Sequence, residues 1–349
     1  MFDRIECKLL RTTSQLEAFV PEWINLWRQD PHATPFQRPE WLIPWWHKFG
    51  QPDLRAVTIF ERGELAGFLP LYVYLEPSTA ERKLMLLGVG TTDYLGGVFA
   101  PRCTPRHLRA AFHVLVQQGG WDVFDASQLC PGSLLFELLQ QPEDLSFDSF
   151  ETASCSRMPA VSMSELPVKI RRNAMYYRNR AMRLGNLELV TADASNWRES
   201  FEELRRLHTA RWQNSGEPGV MVDERVIAWH LEALPRLQES RMLRLCALRL
   251  NGIPIGAFYS LADPPGRPSR TQYIYITAFA PEHAELRPGT LLLALAIERA
   301  KQEGIETIDM LRGEEAYKKI WHLESTPTYG FRMLCNQSRG LKACAAAIA

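Results

Sequence analysis

No apolar run in this 349-residue chain approaches the roughly 20 residues that cross a bilayer. The amino terminus, Met1-Phe2-Asp3-Arg4-Ile5-Glu6, is charged where a signal peptide would be apolar. Net charge is missing too: Lys+Arg 40 against Asp+Glu 40 leaves a formal charge of zero. That balance argues against a general nucleic-acid binder and against a protein held on an anionic membrane by charge alone. Cysteine is sparse and unpatterned, at positions 7, 103, 130, 155, 246, 335 and 344, with no CxxC. An odd, scattered set excludes a disulfide framework and a zinc cluster, so the expectation is a reduced, cytoplasmic protein without a metal. Sustained heptads are absent, which removes a long coiled coil. The length accommodates two domains of about 150 to 180 residues, each able to bury its own core.

What is present is one structural plan written twice. Residues 54 to 75 read as strand, tight turn, strand, with Arg62-Gly63 at the turn and Gly67 beyond it. Residues 243 to 262 repeat this with Asn251-Gly252 and Gly256. Each hairpin is followed by Phe-Ala-Pro (Phe99-Ala100-Pro101 and Phe279-Ala280-Pro281), a helix, a glycine and a strand closing on aspartate, Asp125 in the first copy and Asp309 in the second. The second copy is the longer, and its additional residues fall around His283-Ala284-Glu285-Leu286-Arg287-Pro288-Gly289. Periodicity is lost between about residues 150 and 168. The boundary expected from this is 1–160 for a first domain and 161–349 for a second, although the segment also reads as a strand crossing between the halves.

Gln272-Tyr273-Ile274-Tyr275-Ile276-Thr277-Ala278-Phe279 is rich in β-branched and aromatic residues and reads as a central strand. The loop Leu286-Arg287-Pro288-Gly289-Thr290 then leads into an apolar helix beginning near Leu291. A glycine there lets backbone N–H groups converge, and the helix start adds partial positive charge, so a pyrophosphate would be stabilised, with Arg287 adding a charge-assisted contact. Pro-Gly before a helix is also a common plain turn. A second candidate is the basic run Lys169, Arg171, Arg172, Arg178, Arg180 and Arg183. It reads either as a solvated helix face or as a patch for the phosphates of a cofactor or an RNA-linked substrate.

Leu286-Arg287-Pro288-Gly289-Thr290-Leu291-Leu292, then Gly304, then Ile308-Asp309-Met310-Leu311-Arg312-Gly313-Glu314-Glu315-Ala316-Tyr317-Lys318-Lys319-Ile320-Trp321 resemble the CelD-like (BcsL-type) acyltransferases, tandem GNAT proteins related to the Fem peptidyltransferases. Pro35-Phe36-Gln37-Arg38-Pro39-Glu40-Trp41 with Trp45-Trp46, and Leu207-His208-Thr209-Ala210-Arg211-Trp212, add to the likeness. It runs from about residue 34 to 334. The resemblance implies an α/β (α+β) chain of tandem GNAT-like domains, each a mixed twisted sheet flanked by helices. The first is a degenerate copy and the second carries the site.

It also implies acyl transfer from acetyl-CoA or another acyl-CoA to an amine, or less often a hydroxyl, of a small molecule or saccharide precursor. Ala278, Phe279, Arg287, Pro288, Gly289, Thr290, Leu291 and Lys318 would hold the coenzyme. A backbone N–H on the strand ending at Ala278-Phe279 would polarise the thioester, and Tyr317, holding its proton at neutral pH, would protonate the leaving thiolate. Candidates for a base are His208, Asp309 and Glu314. Each has a structural alternative: a packed histidine, a strand-end cap, and pairing of Glu314 with Lys318 at i, i+4. Trp41, Asp93, Tyr94, Arg211, Trp212 and Arg312 are acceptor-site candidates, although Trp41 with Trp45 and Phe49 at i, i+4, i+8 reads first as a buried stripe. Two departures stand out: Ala316 occupies a position, before Tyr317, where related sequences often have proline, and Leu286-Arg287 replaces a small polar residue at the loop start. The alternatives are a Fem-like transferase using aminoacyl-tRNA, supported by the basic run, and a catalytically silent scaffold in exopolysaccharide synthesis.

Overall fold

Two turns set the frame. Arg62 and Gly63 have φ of 53° and 79°, and Asn251 and Gly252 have 53° and 80°. Positive φ at both central residues defines the type I′ turn, whose twist matches that of the strands it joins. The structure, a computed structural model, describes residues 5–140, 147–313, 318, 320, 321 and 323–335.

The chain divides into two compact units. The first comprises residues up to Ala153 together with the chain from Pro327. It contains β1 (Ile5–Leu10), α1 (Thr13–Ala18), α2 (Val20–Gln29), α3 (Pro39–Phe49), β2 (Asp53–Leu54), β3 (Ala56–Glu61) and β4 (Glu64–Leu69). β5 (Leu71–Leu75), β6 (Arg82–Leu86), β7 (Val98–Phe99), α4 (Pro105–Gln118), β8 (Val123–Leu129) and α5 (Leu134–Leu139) follow. β9 (Asp148–Pro159) leads into the second unit, Ser154–Thr326. There the chain forms α6 (Val168–Leu184), β10 (Leu187–Thr191), α7 (Trp197–Asn214), α8 (Glu224–Glu239) and β11 (Leu243–Leu250). It continues with β12 (Ile253–Ala262), β13 (Thr271–Phe279), α9 (Pro288–Gln302) and β14 (Thr307–Arg312), and β15 (Glu324–Leu334) leads back to the first unit.

In the first unit the strands order as β1-β3-β4-β7 and as β15-β8-β6-β5-β2. In the second the order is β10-β11-β12-β13-β14-β9. Pairing is antiparallel except for β6 with β8 and β13 with β14, each the product of a helical crossover. This is a mixed α/β architecture of sheets flanked by helices. The repeat extends to irregularities: both hairpins slip register just before the conserved-spacing glycine, between Ile59 and Phe60 opposite Gly67 and between Leu248 and Arg249 opposite Gly256.

The division differs from the 1–160 and 161–349 expected from sequence. It falls within β9, at 153/154, and the last described strand joins the first unit. The reason is packing: Phe331 and Met333 pair with β8 and are buried in the core built around Phe112 and Phe124. In the second unit, α9 is apolar on several sides, and it packs into two buried clusters. Leu291, Leu292 and Ala296 join Phe258 and Ile255 in one. Leu293, Ala294 and Ile297 join Ile274, Ile308 and Met310 in the other.

Candidate active site

β13 and β14 run side by side only at Thr271↔Thr307, Gln272↔Ile308 and Tyr273↔Asp309. β13 then continues to Phe279 with no further pairing to β14. Two local irregularities drive the parting. On the β12 side the register slips between Tyr259 and Ser260, whose partners are Ile276 and Ile274, leaving Tyr275 as an extra residue that bends β13. On the β9 side Asp309 pairs with Arg157 and Arg312 with Cys155, so β14 also carries one extra residue. Leu311 there adopts φ 56°, an uncommon conformation for a bulky side chain.

Asp309 fixes that kink. Its Oδ1 accepts the Leu311 N–H at 2.7 Å and its Oδ2 accepts Arg157 Nε at 2.7 Å, and its side chain is fully buried. It therefore positions the strand rather than facing the opening. The opened edge of β13 has a defined chemistry. Ala280 N–H donates to Ile255 O, so strand alternation turns the polar groups of Phe279 to the edge that β14 has left. Thr277 shares that parity, and its carbonyl accepts Arg211 Nη1 at 3.1 Å. The Arg211 guanidinium also lies over the Phe279 ring, 4.9 Å from its centroid.

The start of α9 closes this edge. Arg287 stands at its N-cap position in the left-handed region (φ 48°, ψ 53°) and supplies no side-chain cap. Pro288, at the first helical position, has no N–H to satisfy. Thr290 and Leu291 N–H both turn back on Arg287 O. Gly289 N–H is a first-turn amide that the helix itself leaves unserved. A Cβ at Gly289 would meet only Phe279 Cδ1, at 3.8 Å, so the glycine gives open access rather than relief from a clash.

Between these elements lies a cavity of about 390 Å³. Seven residues foreseen from sequence line it: Arg211, Ala278, Phe279, Arg287, Pro288, Gly289 and Thr290. Sequence reasoning did not foresee Phe258, Ile274, Leu292, Leu293, Ala296, Met310 or Trp321 as lining. Positive charge at the mouth, an open strand edge along one wall and an apolar floor suit a ligand with an anionic head and an extended, amide-bearing arm.

The other candidates are placed elsewhere. Leu291 is buried in the core. The Lys318 ammonium is buried against the carbonyls of Leu311, Arg312 and Gly313 at 3.2, 2.9 and 3.3 Å, so its charge serves the end of β14 and not the cavity lining. Arg312 contributes its carbonyl to that cluster. His208 is buried beside Trp212, with ring centroids 5.9 Å apart, and is not part of the lining. Burial, with the Arg211 charge adding to it, pushes the His208 pKa down to about 4. It is neutral at physiological pH and a weak base. Trp212 is partly exposed on the same helix. Tyr317 and Glu314 lie outside the described residues.

In the first unit Trp41 is buried and donates from its indole to Thr92 Oγ1 at 3.0 Å, and Asp93 and Tyr94 are buried too. Tyr94 O accepts from Gln37. These are core arrangements. On α6, Lys169, Arg172, Arg178, Arg180 and Arg183 are exposed. No helix among the described residues is long and apolar enough to cross a membrane, and no group of three or more metal-ligating side chains occurs among them.

Residues 168–319 match the family described as acetyltransferase (GNAT) domain. No curated protein sequence matches the chain. Among solved structures, the fold is similar to that of FemX, with a TM-score of 0.65 and 12% identity over 95% of this chain and 98% of that one. It is similar to that of a tandem GNAT protein from the clavulanic acid biosynthesis pathway, at 0.50 and 14% over 95% and 99%. L-PGS from Bacillus licheniformis gives 0.53 and 12% over 86% and 93%. At such identities the likeness is one of fold.

Proposed function

We propose that this chain, whose residues 168–319 match the acetyltransferase (GNAT) domain family, is a transferase of acyl groups that uses acyl-CoA as donor and acylates an amine or hydroxyl of a small molecule or saccharide precursor. The observation that carries the reading is the parting of β13 from β14 directly beside the uncapped start of α9. A pyrophosphate at the Gly289 amide, with Arg287 and Thr290 alongside, would be held by the helix start. The pantetheine arm would then add to the open edge of β13 as a short strand does, its amides meeting the main-chain groups of Phe279 and Thr277. Because that arm is several strand residues long, Ala278 and Phe279 would hold the arm, and the thioester would fall near the Tyr275 bulge. A backbone N–H there would polarise its carbonyl, and an acceptor held neutral would attack it.

The CelD-like resemblance extends the acceptor to a saccharide precursor in exopolysaccharide synthesis and gives Tyr317 the task of protonating the thiolate. Asp309 and His208 fit positioning and packing better than proton transfer, and an amine arriving neutral needs no dedicated base. Titrating the full chain with acetyl-CoA in a calorimeter tests the donor. Binding that Gly289→Trp abolishes, in a variant with an unchanged circular dichroism spectrum, is expected. The wild-type glycine has an ordinary backbone and room beside it, so the variant blocks the mouth without straining the fold.

One observation favours a second reading, a Fem-like transfer from aminoacyl-tRNA. The exposed cations of α6 stand on one helix without an acidic residue among them. A tRNA titration decides it: binding that weakens steeply with salt and with Arg178→Ala and Arg180→Ala together supports this reading, and absence of binding removes it.

A further inference from the structure

The two core clusters of the second unit do not merge. Phe258, Leu292 and Ala296 belong to one and Ile274, Leu293 and Met310 to the other, and all of them face the cavity. Protein interiors are packed with few voids larger than a water molecule, and an apolar void of about 150 Å³ already stays dry and takes up benzene. A cavity of about 390 Å³ that opens at Arg287 and is lined by both clusters is larger than packing slack leaves.

Part of its lining, Phe258 of β12 and Ala296 of α9, stands away from the β13 edge that the pantetheine arm would follow. Ala296 lies seven positions beyond Gly289, or about 10 Å deeper along α9 at 1.5 Å per residue. The backbone amides of α9 at that depth are engaged within the helix, so the floor offers an alkyl chain contact and offers a polar arm no hydrogen bond. Ala296 is a small residue on a floor it shares with Phe258, Leu292 and Leu293, so a larger side chain there would take up part of the space.

We propose that this floor is an acyl-chain site and that the donor's acyl group is a medium- or long-chain alkyl rather than acetyl. The inference rests on the acyl-CoA reading above and names its substrate class. Each methylene buried on such a floor tightens binding by about fourfold, so affinity climbs with chain length until the cavity is full.

The experiment titrates the full chain with coenzyme A, acetyl-CoA and octanoyl-CoA, and separately with dodecanoate, repeating each with Ala296→Phe. Octanoyl-CoA binding at least tenfold more tightly than acetyl-CoA, with that ratio collapsing toward one in Ala296→Phe, is the expected result. Equal binding of the two thioesters overturns the proposal while leaving the acyl-CoA reading standing. Dodecanoate binding that Ala296→Phe abolishes, without binding of any thioester, keeps the chain site and overturns the coenzyme reading. Binding of neither overturns both. Should Ala296→Phe fail to fold, Leu293→Ala enlarges the same floor. It then moves the tightest thioester in the series to a longer chain, and an unchanged optimum counts against the proposal.

Discussion

The two units build the same hairpin, the same register slip and the same closing aspartate, and then treat the strand that follows in opposite ways. In the second unit that strand is β13, unbroken from Thr271 to Phe279, with its outer edge left open once β14 departs. In the first it is cut in two: β6 ends at Leu86, β7 resumes at Val98, and buried Thr92, Tyr94 and Leu95 lie between them. The Trp41 and Trp45 indoles donate to Thr92 and Thr91, so side chains of the first unit occupy this region. The helix starts differ in the same sense. At α4 the His107 ring accepts the Thr104 N–H at 3.2 Å, whereas α9 begins at Arg287 with no side-chain cap. The first unit fills the stretch between its two strand pieces with its own side chains, and the second leaves the start of α9 without a capping side chain.

The largest effect separating the halves should come from the paired aspartates. Asp309 is fully buried and binds both Arg157 and the Leu311 amide, while Asp125 lies 3.8 Å from an Arg332 that is itself half exposed. Asp309→Ala is expected to cost about 2–3 kcal/mol, since it strips a buried amide and an arginine of their acceptor. Asp125→Ala should cost less than about 1 kcal/mol, as partly solvated pairs do. Urea unfolding of each variant reads the difference, and Asp309→Ala should also weaken acyl-CoA binding by letting β14 straighten. Equal costs at the two positions would remove the account of how the strands are made to part.

Much of this contrast was legible in the residues and some was not, for physical reasons. Arg62-Gly63 and Asn251-Gly252 announce their turns because two consecutive positive φ values demand such residues. Arg287-Pro288-Gly289 announces a helix start, and the run from Gln272 to Phe279 announces a strand. The cavity floor is silent: Ile274, Met310 and Ala296 carry the same apolar pattern whether they touch a neighbour or line a gap, because the difference is one of packing volume and not of period. Lys318 stands among the coenzyme ligands only through the family resemblance. Its carbonyl partners converge where Leu311 turns left-handed, a conformation that nothing about a leucine advertises. His230 was passed over although α8 buries it completely.

Acid should separate the units next. His208 and His230, both in the second unit, have pKa values pushed down by burial to about 4 and about 3. Unfolded histidine titrates near 6.5. Each therefore contributes stability that is complete above about pH 6.5 and is lost as the unfolded chain takes up protons below it. The limiting slope is about 1.4 kcal/mol per pH unit for each group. Asp263 works the other way, because burial raises its pKa to about 6 and the folded state binds its proton more readily than the unfolded one. Two groups against one leave a net loss between pH 6.5 and 5. Denaturant titrations at several pH values should show it, and His230→Gln should flatten the dependence. A slope that survives that substitution would place the acid sensitivity elsewhere.

The smallest effect tests the two helix starts directly, with opposite signs at equivalent places. Thr104→Ala removes the hydroxyl at the start of α4 and should destabilise by about 1 kcal/mol. Arg287→Gly relieves a left-handed non-glycine residue, a gain of about 1–2 kcal/mol that the greater entropy of unfolded glycine reduces to about 0.5–1 kcal/mol. The same change removes the cation beside the mouth and should weaken acyl-CoA binding about tenfold, the loss of one charge-assisted contact. Stability and affinity would then move in opposite directions at one residue. If Arg287→Gly instead lowered stability and left affinity alone, Arg287 would be a packing residue, and the open start of α9 would be as structural as the capped start of α4.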